Sequence, residues 1–156
     1  MPVSSVEVTG QLVAVLKEAL DGAEQWSYFT DHGEDAGLIG TLTKLSAAEA
    51  SESIGGTSIA SHVHHTVFGF RASTAWIKGD RSNRDWQESW RISVVDSAGW
   101  QRLQEELRRS YQDLRQAIEQ HAETDVLALG GAIGAIAHVA YHLGAIKQKI
   151  AFGRRS

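Results

Sequence analysis

The chain has 156 residues and 17.0 kDa, 42% hydrophobic and 22% charged, the size and make-up of one globular domain spanning 1–156, able to bury about two-thirds of its surface. Zero cysteines exclude a disulfide scaffold, a cysteine-ligated zinc or iron–sulfur site and a cysteine nucleophile. A net charge of −4 with scattered basic residues argues against a nucleic-acid partner, which needs a basic stripe or patch.

The only proline is Pro2 and no run alternates with period two, so the expected class is all-α. Ser4 with Glu7 three residues on is a capping-box signature; Val8, Leu12, Val15, Leu16, Ala19 and Leu20 follow at helical spacing, with a stop near Gly22. A turn around Asp31 to Gly33 leads to a short apolar-periodic stretch with Leu38, Leu42 and Leu45. Ser46 with Glu49 then caps one or two further turns before Gly55-Gly56. These are short extra helices between the first and second long ones.

The second long helix is expected from about Ser58 to Lys78, with Gly79 beyond its end. Residues 80 to 97 form a long polar crossover between the second and third long helices, anchored by packing among Trp76, Trp86, Trp90 and Trp100. The third long helix opens near Asp96 with one apolar stripe through Trp100, Leu103, Leu107, Tyr111, Leu114 and Ile118. A fourth, from about Thr124 to Ala151, is apolar nearly all round, with Lys147 and Lys149 near its C-terminus, where cations are favoured. Its segment Val126 to Ile146 lacks Asp, Glu, Lys and Arg and is long enough to span a bilayer. Four glycines and two histidines within it favour instead the central, buried helix of a bundle. Met1 to Gln11 has no basic n-region and no apolar h-region, so no secretory leader and no membrane are expected, and the cytoplasm is the simplest location.

Seven histidines carry the chemical signal: His32, His62, His64, His65, His121, His138 and His142. His138 and His142, four apart on a helix, sit one turn above each other and can share one ion. Winding the fourth helix places Leu127, Gly131, Gly134, Ala135, His138, His142 and Ala145 on one stripe, with bulky Leu129, Ile133, Ile136, Val139 and Leu143 elsewhere. On the second long helix Ser58, Ser61, His62, His65, Gly69, Ala72 and Trp76 share a stripe. Small residues beside histidines either admit a neighbouring helix or leave a pocket, and helix packing could bring His65 over the pair. The competing reading is core histidines bonded to backbone carbonyls and Ser61. His62 stays open between a fourth ligand, a residue that orients a ligand, and a packing residue. His64, His32 and His121 read as solvent-facing residues or helix-end cations.

The stretches SIASHVHHTVFGF and AHVAYHLGAI, with the crossover GDRSNRDWQESW, resemble the DinB/YfiT-like superfamily over nearly the whole chain. That resemblance implies a four-helix bundle of up-down-down-up topology, with His65, His138 and His142 as ligands of a divalent metal, zinc or nickel suiting three imidazoles with open positions. His64 does not fit the motif position. Several members are similar to thiol-dependent transferases or isomerases, which implies a metal-dependent thiol S-transferase using a low-molecular-weight thiol and a small-molecule substrate; a homodimer is also implied. Where many members continue Arg-Gly-Gln after the last histidine, this chain has Leu143, Gly144 and Ala145. The alternative is therefore a non-catalytic metal-binding or stress-linked interaction module. A DNA-directed role, suggested only by the family name, is opposed by the acidic balance.

Overall fold

Ser4 opens the first helix as expected: its hydroxyl accepts from Glu7 N while the Glu7 carboxylate accepts from Ser4 N, so two otherwise orphaned donors are satisfied. The computed structural model describes residues 1–33 and 35–154. Among these residues six α-helices follow in order: α1 (Ser5–Asp21), α2 (Leu38–Thr43), α3 (Ala47–Ser51), α4 (Ile59–Ile77), α5 (Ser97–His121) and α6 (Val126–Gly153). The described residues hold no named strand, so the class is all-α; a 3-10 turn, Glu88–Trp90, interrupts the crossover.

The other caps follow the same logic. Ser46 and Glu49 form a second reciprocal box on α3, Ser58 caps α4 through Ser61 N, Asp96 caps α5 through Gly99 N, and Asp125 caps α6 through Leu127 N and Ala128 N. α1 ends at Gly22, whose φ of 86° is open to glycine alone without strain. Gly22 is also crowded: a Cβ there would lie 2.5 Å from the Gly33 carbonyl oxygen.

α4 packs against α5 and α6, and α1 packs against the same two helices from the other side. The core between them is continuous, from Leu16 and Leu20 through Val63, Val67 and Phe70 to Leu107, Leu114, Ile118, Val139 and Ile146. All six expected stripe residues of α5 point into it.

Three expectations need correction. α6 is not buried all round: Val126, Leu127, Ile133, Tyr141 and Phe152 are exposed, because the helices that chiefly cover it, α1 and α4, leave one face open. It remains the one described helix long and apolar enough to cross a membrane by length and composition, with 39% of its most apolar window buried. Lys149 does not serve the helix end, since its ammonium is buried and donates to the carbonyls of Ile54 and Thr57. The four tryptophans do not form one anchor. Trp100 is buried and donates to Leu45 O at 2.9 Å, Trp76 donates to Leu127 O at 2.9 Å, and no ring contact joins any two of the four.

Glu18 was not foreseen as structural. Its carboxylate is buried on α1 and accepts from the backbone N–H groups of Tyr28, Phe29 and Thr30 at 2.8–3.0 Å and from the Thr30 hydroxyl. Burial alone would raise its pKa, but the hydrogen bonds from Phe29, Thr30 and Tyr28 outweigh that and hold it below the usual 4.5. The depressed folded pKa means that this stabilisation is present above about pH 4.5 and is lost as pH falls through the folded value. Glu18→Gln is expected to cost about 2–4 kcal/mol at pH 7 in denaturant unfolding, with the deficit shrinking below pH 4. An undiminished deficit at pH 3 would contradict the assignment.

Candidate metal centre

His62 and His65 lie on α4, and His138 and His142 on α6. The two helices meet closely because Gly69 of α4 has no side chain: a Cβ there would fall 2.8 Å from His138 Cε1 and 2.9 Å from Nδ1. The Cε1–Nδ1 edge of the His138 ring therefore abuts the α4 backbone at Gly69, and the small-residue stripe admits a neighbour at that level. At Gly131 the edge of Trp76 takes the same kind of space, 2.6 Å from where a Cβ would stand.

The apposition brings three imidazole nitrogens to one point. His65 Nε2 lies 2.9 Å from His138 Nε2, which lies 3.1 Å from His142 Nε2. Two nitrogens bound at about 2.0–2.1 Å to one ion lie roughly 2.9–3.4 Å apart at octahedral or tetrahedral angles, a range that both separations meet, with all three nitrogens within 4.8 Å of one another. His65, His138 and His142 are the group able to hold a metal ion among the described residues, and no carboxylate joins them.

The outward nitrogens of two rings are fixed by partners. Ser89, fully buried on the 3-10 turn, donates its hydroxyl proton to Trp86 O at 2.5 Å and lies 2.6 Å from His65 Nδ1. A hydroxyl has a single proton, so His65 Nδ1–H is the donor to Ser89, and His65 Nε2 keeps its lone pair for the centre. On the other side His62 Nδ1 lies 2.8 Å from His142 Nδ1, and His62 Nε2 lies 3.1 Å from Thr57 Oγ1. With His62 donating to Thr57 and accepting from His142 Nδ1–H, the His142 lone pair also faces inward. His62 thus sits behind a ring of the triad, outside the converging nitrogens. The two inward lone pairs of His65 and His142 both face His138 Nε2, and either a proton on that nitrogen or a cation among the three satisfies them.

Electrostatics favour neutral, ligand-ready rings. Burial lowers the His142 pKa to about 3 and that of His65 to about 4, each further depressed by its histidine neighbours, while burial with Lys149 nearby takes His62 to about 4. Burial lowers His138 too. Trp90 stacks on His65 with centroids 4.1 Å apart and meets His62 edge-on at 5.4 Å, while Trp86 lies 5.7 Å from His65. These two crossover tryptophans wall the histidines rather than anchoring a separate cluster.

His64 is half-buried and not solvent-facing: its Nδ1 lies 2.7 Å from Ser89 O, so a single crossover serine engages two successive α4 histidines. Ser61 pairs with Ser58 at 3.0 Å and bonds no histidine. His32 is exposed in the loop after α1, and His121 ends α5.

The model of the DinB superfamily matches residues 35–146, which include all three converging histidines and the crossover. The chain belongs to the DinB superfamily. No curated protein and no solved structure gives a match.

Ser89→Ala leaves His65 Nδ1 without its acceptor and frees the ring to turn. Zinc affinity, read by competition with a chromophoric chelator, is expected to fall by about 10–100-fold with the helical circular dichroism unchanged. Unaltered affinity would remove Ser89 from the site.

Proposed function

We propose that this chain is a single-domain, divalent-metal-binding protein that works as a metal-dependent thiol S-transferase or a related thiol-using enzyme. The observation that carries the proposal is the convergence of the His65, His138 and His142 Nε2 atoms in a buried pocket with two rings held from behind. Zinc or nickel suits three neutral imidazoles, and fewer protein ligands than coordination positions is the character of a catalytic site. When bound, such an ion supplies Lewis acidity that holds a coordinated thiol or water deprotonated at neutral pH.

This chain's own residues do the rest. Ser89 and His62 fix the direction of the two lone pairs, and Trp90 limits water at His65. The absence of a carboxylate from the triad among the described residues leaves any proton transfer to the reactants or to solvent.

Up-down-down-up topology is part of the same proposal. It is supported by Trp76 bonding to Leu127 and His62 to His142, which pair opposite ends of α4 and α6, and by Thr9 bonding to Glu123 and Asp21 to Tyr111, which do the same for α1 and α5. Ser58, the cap of α4, meets Ser93, just before α5, and Arg71 meets Glu106 further along both helices, as two helices joined by a long crossover would.

A cytoplasmic homodimer without nucleic-acid or membrane partners completes the reading. Its support is an apolar groove lined by Val8, Leu12, Val15 and Ile136 and by the exposed Val3 and Ile133, which a second copy would cover. Ile133→Glu is expected to convert a sedimenting dimer into a monomer; a wild type that sediments as a monomer at micromolar concentration contradicts the dimer.

One observation favours the non-catalytic module. Leu143 turns into the core, so no polar side chain stands at the place where many members of the superfamily carry arginine. A decisive assay loads the protein with zinc or nickel and follows loss of free thiol over a panel of electrophiles and low-molecular-weight thiols. Thiol consumption by wild type that falls at least about 100-fold in His65→Ala supports the enzyme. No consumption over the panel by a fully loaded protein leaves the binding module.

A further inference from the structure

A second cavity of about 590 Å³ opens beside the triad, with His138 among its lining residues. Its floor on α6 lacks side chains at Gly130 and Gly134, where an added Cβ would meet nothing within 4 Å, with Leu127 and Ala135 beside them. Its walls are the indoles of Trp76 and Trp86, both partly exposed. Trp76 is held in place by its bond to Leu127 O, by Gly131 against its edge, and by the Arg81 guanidinium 5.5 Å from its ring centroid. Trp86 is fixed by Phe68 at 5.2 Å and by His65. Two rigid aromatic walls over a glycine floor make a slot for a flat apolar body.

The rim is polar. Arg81 and Arg84 both line the cavity, and each is engaged by a carboxylate through Nη2 only, Arg81 by Asp125 and Arg84 by Asp80. Their Nη1 groups have no hydrogen-bond partner among the described residues, and Arg81 Nε is buried without one. An arginine pair with donors to spare is a carboxylate receptor. Asp80 and Asp125 offset the two positive charges, so the rim offers unpaired hydrogen-bond donors rather than net charge, and a singly charged acid suits it better than a dianion.

We propose that this cleft is the binding site for a small aromatic carboxylate, its ring system between Trp76 and Trp86 over Gly134, its acid group at Arg84 and Arg81, and its opposite end directed at His138. The proposal deepens the enzyme reading, on which it rests for the role of the bound molecule as substrate, by giving the substrate's chemical class.

The test uses isothermal titration calorimetry of the protein as purified, with 2-naphthoate and its uncharged counterpart 2-naphthylmethanol. Naphthoate is expected to bind about tenfold or more tightly than the alcohol. Gly134→Leu puts a side chain into open space and improves helix propensity, so the fold and the zinc content should hold while naphthoate binding drops at least about tenfold. Gly134→Ala, one methyl, should lose much less. Arg84→Gln should bring naphthoate down to the level of the alcohol.

Equal binding of acid and alcohol, or Gly134→Leu binding as wild type does, overturns the proposal. So does naphthoate binding that survives Arg84→Gln but disappears in His65→Ala, since the acid would then sit on the metal. A protein that binds naphthoate through Arg84 yet holds no metal and consumes no thiol refutes the enzyme reading and keeps the cleft. Thiol consumption without naphthoate binding does the reverse.

Discussion

An imidazole buried between two helices has two nitrogens to satisfy, and in this protein four such rings are packed together without a carboxylate beside them. Leaving one buried polar nitrogen unpaired costs about 1–3 kcal/mol, comparable to a sizeable fraction of the stability of a domain this size. The solution is to turn three nitrogens towards a common point and to give two of the outward nitrogens a partner drawn from elsewhere in the chain. Ser89 comes from the crossover, His62 from the α4 turn before His65, and Thr57 stands behind His62. Much of what surrounds the histidines follows from meeting that requirement.

The crossover illustrates this. Residues 78–96 have little regular structure, yet the segment is pinned at the 3-10 turn by the Ser89 hydroxyl on His65, the Ser89 carbonyl on His64, and Trp90 stacked over His65. A long connection in a compact protein normally carries an entropic cost with no return. Here the cost is offset because the same few residues satisfy buried imidazoles and wall the site. The glycines act from the other side: Gly69 lets His138 lie against α4, whereas Gly130 and Gly134 keep the approach to it open.

Much of this was legible in the amino-acid sequence because it is local. Capping boxes at Ser4 and Ser46, the Asp96 cap, the stripe of α5 and the i, i+4 pair on α6 depend on neighbours within one helical turn, and the structure places them as the spacing predicts. The two stripes that share small residues allow His65 to meet His138 and His142 but leave core histidines as an alternative; the family resemblance is what singles out those three. What escaped was everything decided by long-range contact. Ser89 lies 24 residues from His65 and is one serine among many; only its proximity distinguishes it. Glu18 resembles any helix-surface acid until the loop at Tyr28–Thr30 folds over it. The outward face of α6 was misjudged for a related reason: an all-round apolar helix reads as central, whereas its place at the side of α4 and α1 leaves Ile133 and Tyr141 uncovered. That exposure is what the proposed dimer would bury.

The central claim is that three histidines from two helices form one metal site. It is tested most directly by elemental analysis of untagged protein, purified without added nickel, beside His138→Ala. Wild type should carry close to one zinc or nickel ion per chain and the variant almost none, with the same circular dichroism. An equal metal content in the two proteins, or none in wild type after incubation with stoichiometric zinc, would show that the converging nitrogens serve only the packing of α4 against α6.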